Sequence, residues 1–394
     1  MSAMKRLFQV MADKKASDIF LSVGAPINIK INGVAVPVNQ AIMTGETVRQ
    51  LLYEVLNDRQ IKEFEDEMEL NTAISMEGIG TFRISAFRQK GAPAVVVRYI
   101  PNLIPNIDTL NVPEVLKEVI MQKRGLILMV GATGSGKSTS LAAMIDYRNE
   151  RKSGHILTLE DPVEFIFQNK KSIINQREVG TDTKAFETAL RNALRQAPDC
   201  ILIGEIRDKP TMAMALAYAQ TGHLCLATLH ANNSYHAMNR IINFYPLETR
   251  PSLLLDLAAA LRAVISQRLV RTKTGARIPA VEILLNTRNI SELIEKGEIS
   301  EIKEALEKSL APGSQTFEQA LFKLFMDGRI TQEEALSNAD SASNMLWLIN
   351  QATAGELSLS GAAAPAPKAT EEKNEGLLSG GGGNFNAFKI DVNA

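Results

Sequence analysis

Cysteine occurs only twice in the 394 residues, at Cys200 and Cys225, and no CxxC pair exists. That excludes a disulfide framework and a zinc ribbon, and it fits a reducing compartment. Aromatic residues make up 5%, with a single tryptophan, so stacking platforms for single-stranded nucleic acid are not expected. An excess of either charge is also missing. Lys and Arg number 43 against 44 Asp and Glu, a formal net charge of −1, which speaks against nucleic-acid binding over the whole surface. No run reaches the roughly 18 apolar residues that span a bilayer. The opening MSAMKRLFQVMADKKASD spaces Met4, Leu7, Phe8 and Met11 as a helix broken by Asp13, Lys14 and Lys15, unlike a signal peptide. The expectation is a cytoplasmic chain with no direct membrane insertion, reaching a membrane only through a partner.

The residues that are present divide the chain. Residues 1–100 read as a small α+β unit, with a hairpin in INIKINGVAVPV around Asn32-Gly33, a helical stretch over Glu46–Glu67, and strands TFRISAFRQ and APAVVVRYI turned at Lys90-Gly91. Residues 101–113, with three prolines, read as a linker. Over residues 114–280, strands GLILMVG, HILTLE, CILIG and HLCLATL alternate with helices over Lys137–Glu150, Thr183–Gln196 and residues 209–220. Unalternating apolar strands between helices predict an α/β unit with a parallel sheet covered on both faces. Residues 281–354 form a helical region. Its two helices around Gly328, the second opened by Thr331-x-x-Glu334, resemble a DNA-binding pair in outline, but the second carries no basic residue, which favours a structural hairpin. Residues 355–394 are low-complexity and expected to be disordered; the final NFNAFKIDVNA reads either as a bare tail or as a docking segment.

GATGSGKST, Gly131–Thr139, follows a strand and opens a helix, the context that the phosphate-binding loop requires. Gly131, Gly134 and Gly136, with Thr133 and Ser135 between them, allow the backbone to curl its N–H groups toward phosphate. Lys137 is placed to reach the β- and γ-phosphates of ATP, and Ser138, ahead of Thr139, to ligate Mg²⁺. CILIGEIRD ends its strand in Glu205, a single acid facing the metal where many P-loop proteins carry an Asp-Glu pair; position 204 is Gly. LEDPVEF supplies Glu160 and Glu164 as candidates to polarise the attacking water, or else a solvated acidic turn.

Three of the four histidines crowd into TGHLCLATLHANNSYH: His223, His230 and His236. A metal site is disfavoured, because His223 and His230 stand seven apart on a strand, an odd offset that turns them to opposite faces, with no acid between them and no helical His-x-x-x-His pair. They read either as phosphate-contacting groups or as satisfied structural histidines, and His236 as surface. Arg83 and Arg98, each inside a strand, read as fingers for a neighbouring subunit's nucleotide or as ordinary ion pairs.

In order, GATGSGKST, LTLEDPVEF, LIGEIRD and TGHLCLATLH resemble the Walker A, aspartate-box, Walker B and histidine-box motifs of the secretion and pilus ATPase superfamily. Up to about residue 350 the chain is similar to the type IV pilus retraction ATPases of the PilT/PilU family. It is nearer the PilU type, since LLNTRNISELIEKGE stands where PilT-type members carry an AIRNLI-type segment. Extension and type II secretion ATPases, the alternative, usually carry a longer N-terminal region and a four-cysteine zinc insertion. The resemblance implies a PAS-like N-terminal domain, a RecA-like ATPase core, a hexameric ring and Mg²⁺-dependent ATP hydrolysis driving retraction. It implies as partners a PilT-type ATPase and an inner-membrane platform protein at the pilus base, with no nucleic acid. It further implies Glu164 as general base, Glu205 as the Walker B acid, His223 and His230 as phosphate contacts, and Arg83 and Arg98 as nucleotide contacts.

Overall fold

The computed structural model describes residues 2–353 apart from residues 32, 77 and 102; the tail expected from residue 355 lies outside the described residues. Met4, Phe8 and Met11 recur at helical spacing and are fully buried on one face of α1 (Ala3–Asp13). That face lies on a sheet, where Phe8 stacks on Phe82 with ring centroids 4.1 Å apart. The sheet is built from β1 (Asp18–Leu21), β2 (Asn28–Ile31) and β3 (Val34–Pro37), then, after helices α2 (Gly45–Tyr53) and α3 (Asp58–Glu67), from β4 (Glu69–Met76), β5 (Gly80–Gln89) and β6 (Ala92–Pro101). Its order is β3-β2-β1-β6-β5-β4, with every neighbouring pair antiparallel. Lys90 and Gly91 both take positive φ, 50° and 77°, which matches the strand twist at the β5–β6 turn. The single helix expected over Glu46–Glu67 is two. Asn57 accepts from the Gln60 N–H while the Gln60 side chain accepts from the Asn57 N–H, and this capping box starts α3 afresh.

Alternation along β5 sorts its side chains. Phe82, Ile84 and Ala86 are buried against the helices, so Arg83 and Ser85 leave by the other face.

The second layer system begins at α4 (Val115–Ile120) and β7 (Gly125–Val130). It continues through α5 (Lys137–Arg151), β8 (Gly154–Glu160), β9 (Ser172–Glu178), α6 (Phe186–Ala193), β10 (Cys200–Ile203), α7 (Lys209–Gln220), β11 (Leu224–Leu229), α8 (Ser234–Asn243) and α9 (Arg250–Ala260) to a hairpin of β12 (Leu261–Arg271) and β13 (Arg277–Leu285). The sheet order is β13-β12-β7-β11-β10-β8-β9. It is mixed, not wholly parallel as expected: six strands run together and β13 returns antiparallel to β12. Leu126, Leu128 and Val130 pack into a cluster with α7 and α9 on one face, while Ile127 and Met129 pack with α4 and α5 on the other. Each fully buried aliphatic contributes roughly 1.5–3 kcal/mol, against about 1 kcal/mol or less for an exposed ion pair. Apolar burial therefore fixes where β7 ends, and so where the following loop hangs.

Three departures have physical causes. β9, β12 and β13 were not anticipated, because β9 turns polar from Asn175 onward and buried Ser266, Gln267 and Glu282 interrupt the apolar runs of β12 and β13. β13 runs past residue 280, the expected end of the core, because its buried Val281, Ile283 and Leu284 continue the sheet. The helix expected from Thr183 begins at Phe186, because the Thr183 N–H is engaged by the Glu178 carbonyl in a tight turn.

Among the described residues five α-helices follow: α10 (Arg288–Lys296), α11 (Ile302–Glu307), α12 (Phe317–Met326), α13 (Gln332–Asn338) and α14 (Ala342–Thr353). The hairpin-like α12 and α13 pack with α14 on the β12–β13 edge, where Phe317, Leu321, Ile330 and Met345 bury against Val270, Ile278 and Ala280. Thr331 caps α13, but Glu334 turns its carboxylate to the Arg271 N–H instead of completing a capping box. No helix among the described residues is long and apolar enough to cross a membrane.

Candidate functional site

The loop Gly131–Gly136 leaves the buried end of β7 and enters α5 at its N-terminus, where unpaired N–H groups carry partial positive charge. Two of its glycines are required by space. A Cβ on Gly131 would lie 2.5 Å from Ser135 Oγ and 2.6 Å from the Gln267 carbonyl, and one on Gly136 would lie 2.7 Å from Gln267 Nε2. Both also hold positive φ, as does exposed Gly134. Lys137 is buried and its ammonium donates to the carbonyls of Gly131 at 2.8 Å and Ala132 at 2.9 Å. Burial lowers its pKa, and the nearby carboxylates of Glu164 and Glu205 oppose that. The buried Ser135 hydroxyl has no hydrogen-bond partner. A cradle that excludes Cβ atoms, with an unpaired hydroxyl and a held ammonium, fits phosphate oxygens. Thr133 is exposed, and Ser138 and Thr139 open α5 half-buried.

The acids gather at the same edge of the sheet. Glu160 closes β8 and is buried. Its carboxylate accepts from the Thr158 hydroxyl at 2.6 Å, from the Gln176 amide at 3.4 Å and from the Glu164 N–H. Burial pushes its pKa up to about 7. Glu160 thus faces its own turn and ties down the backbone of Glu164, whose exposed side chain lies within electrostatic reach of both Lys137 and Arg83. Glu205 follows β10. Arg207 Nε donates to it at 2.6 Å, and His230 Nε2 stands 3.5 Å from its other oxygen. The position before Glu205 is sterically tight. A Cβ at Gly204 would sit 3.1 Å from both the Glu160 Cα and the Leu159 carbonyl.

The two strand histidines are separated by β11. His230 lies past its C-terminal end, beside Glu205. His223 lies before its N-terminal end, where its carbonyl accepts from the Gly125 N–H and its ring meets Thr221 and Tyr218. Six strand residues at about 3.3 Å each place His223 about 20 Å from the loop, and the structure does not bring it to the site of its own chain. His236, on α8, bonds Asn233 Oδ1 at 2.8 Å.

Asp18, Arg98 and Arg83 stand opposite one another across β1, β6 and β5. Asp18 takes Arg98, at 3.0 Å. Arg83 is left half-buried, its Nη2 without a hydrogen-bond partner. Burial lowers its pKa, while Glu164, Glu178 and Asp161 of the core favour its charge. The structure therefore turns Arg83 toward the acidic turn and holds Arg98 in an ion pair.

Gln267 is the residue that sequence reasoning missed. Its amide spans the loop, donating to the Ser135 carbonyl at 2.9 Å and accepting from the Ser140 hydroxyl at 2.8 Å. No local pattern flags a partner 132 positions away. Clefts of about 740 Å³, toward His230 and Arg240, and about 220 Å³, toward Gln267 and Arg277, flank the loop.

A model of the family described as type II/IV secretion system protein matches residues 2–292. The type IV pilus ATPase PilU of Pseudomonas aeruginosa is 47% identical over 346 residues, 88% of this chain and 91% of that protein. The type IV pilus retraction ATPase PilT of the same organism is 39% identical over 338 residues, 86% of this chain and 98% of that protein. A crystal structure of the pilus retraction motor PilT with bound ADP matches with a TM-score of 0.82 at 37% identity, over 87% of this chain and 98% of that one.

Proposed function

The chain belongs to the type II/IV secretion system protein family, and from that membership we propose that it is a type IV pilus ATPase that powers pilus retraction and twitching motility. One observation carries the reading: the glycine loop with Lys137, the acids Glu205 and Glu164, and His230 meet at the C-terminal edge of one sheet, where α/β ligands bind.

In this reading Lys137 leaves the loop carbonyls for the β- and γ-phosphates of ATP, and the loop N–H groups and the Ser135 hydroxyl take further oxygens. Mg²⁺ held by Ser138 and Glu205 supplies charge neutralisation on the phosphates. Glu164 accepts a proton from the water that attacks the γ-phosphorus; the bond to the β–γ bridging oxygen breaks, and ADP and phosphate leave. Glu160 fixes Glu164 through its backbone. His230, by its place beside Glu205, contacts the γ-phosphate and responds to its loss. Arg83 reaches the phosphates from the N-terminal sheet, which would draw the two layer systems together around nucleotide; Arg98 does so only by exchanging Asp18 for phosphate.

The N-terminal unit is PAS-like and the core RecA-like, in a hexameric ring, cytoplasmic and peripheral to the inner membrane. The ring acts on a platform protein and alongside a PilT-type motor. Twitching in strains lacking this chain, or retaining it as the only retraction motor, tests the assignment. Loss of pili on deletion would point instead to an extension or secretion ATPase, and a purified chain that released no phosphate from ATP would overturn the enzyme reading.

A further inference from the structure

Gln267 and Arg268 are neighbours on β12, so their side chains leave opposite faces of the sheet. On one face Gln267 is engaged at both ends of its amide by the nucleotide loop and α5. On the other, the Arg268 guanidinium donates to the Asp340 carboxylate and to the carbonyls of Asn338 and Asn232, and lies 3.9 Å over the Phe317 ring. Asp340 joins α13 to α14, and its second oxygen accepts from Asn233 Nδ2 at 2.6 Å. Asn233 caps α8, and Asn232 before it lines both clefts beside the loop. The C-terminal helices thus reach the loop's two neighbours, β12 and the segment after β11, and at both points Asp340 makes the contact.

Resting on the nucleotide-site reading above, we propose that Gln267 is a positioning residue for the phosphate-binding loop, and that the Arg268–Asp340 pair lets helices α12–α14 set the loop's grip on nucleotide. The strand can transmit this because it is packed on both faces and cannot yield residue by residue. Releasing Arg268 removes the tie between β12 and the α13–α14 junction, one peptide from the amide that shapes the loop. The pair is largely buried, with side-chain exposures of 21% and 13%, so solvent screens it weakly.

The test uses the full chain, the binding of a fluorescent methylanthraniloyl ATP with magnesium, and turnover against ATP concentration. Gln267→Met keeps the side chain's length and removes both hydrogen bonds; binding is expected to weaken about tenfold, with KM rising more than kcat falls. Asp340→Asn keeps shape and removes charge, and is expected to weaken binding about threefold. Because both changes break one chain of contacts, the double variant should lose about tenfold, not the roughly thirtyfold product. Arg268→Lys, which keeps a charge for Asp340 but loses the fork onto the two carbonyls, gives the same reading should Asp340→Asn fold poorly. A merely structural role would lower the melting temperature and leave the affinity of the folded protein unchanged; that result, or a double variant at the full product, overturns the proposal. Lys137→Ala separates the two readings. A parent that binds nucleotide through Lys137 while the Gln267, Arg268 and Asp340 variants all bind equally well sinks only this inference, whereas a parent that binds no nucleotide sinks the site itself.

Discussion

The two ends of β11 carry the same residue type and do different things. Past its C-terminal end, His230 faces Glu205 and opens onto the larger cleft. Before its N-terminal end, His223 is held by Tyr218 and Thr221 as part of the turn from α7. Strand polarity makes the difference. Parallel strands present their C-terminal ends together, so loops from β7, β8, β10 and β11 converge there, while the other end holds only return turns. A histidine's chemistry here follows from which end of the strand it occupies, more than from its motif.

Substitutions at the two ends should separate sharply. Lys137→Ala, at the functional end, is expected to lower ATP turnover by about 10³-fold or more, as measured by phosphate release. Glu205→Gln should cost about 10²-fold in kcat with little change in nucleotide affinity; turnover at the parent rate would remove that acid from the mechanism. His230→Ala is expected to lower kcat about tenfold, while His223→Ala keeps nucleotide affinity within about twofold and lowers the melting temperature instead. Equal kinetic effects from both histidines would break the comparison.

At Glu160 the effect is on stability, because burial raises its carboxyl from the ordinary 4.5 to about 7. Its stabilising contribution is full below about pH 4.5, where folded and unfolded forms are both protonated. It is lost as pH rises toward 7, where the unfolded form ionises first. Glu160→Gln cannot ionise, so its stability should gain on the parent's across that window by up to about 3 kcal/mol, as read by urea unfolding at several pH values.

Local features were legible in the sequence and long-range ones were not. The P-loop glycines, the Lys90-Gly91 turn and the cap at Thr331 each express a backbone requirement within a few residues, and the structure holds all three. The β12–β13 hairpin was missed because its buried polar residues find partners far away. Gln267 answers Ser135 and Ser140, and Glu282 answers the Ser234 N–H and the Ser266 hydroxyl. Arg83 and Arg98 looked equivalent as strand arginines; only the register of three strands shows Asp18 claiming one and leaving the other toward the core. For the same reason the offset of seven between His223 and His230 said nothing about which one approaches the loop.

Gly204 has a consequence for anyone who would redesign this enzyme. With the Leu159 carbonyl and the Glu160 Cα each 3.1 Å from the place of the missing methyl, a second carboxylate beside Glu205 requires β8 to shift by a few tenths of an ångström. Those two strands also seat the acidic turn. The missing methyl lets β8 and β10 lie side by side, so that the acidic turn and Glu205 leave the same edge of the sheet.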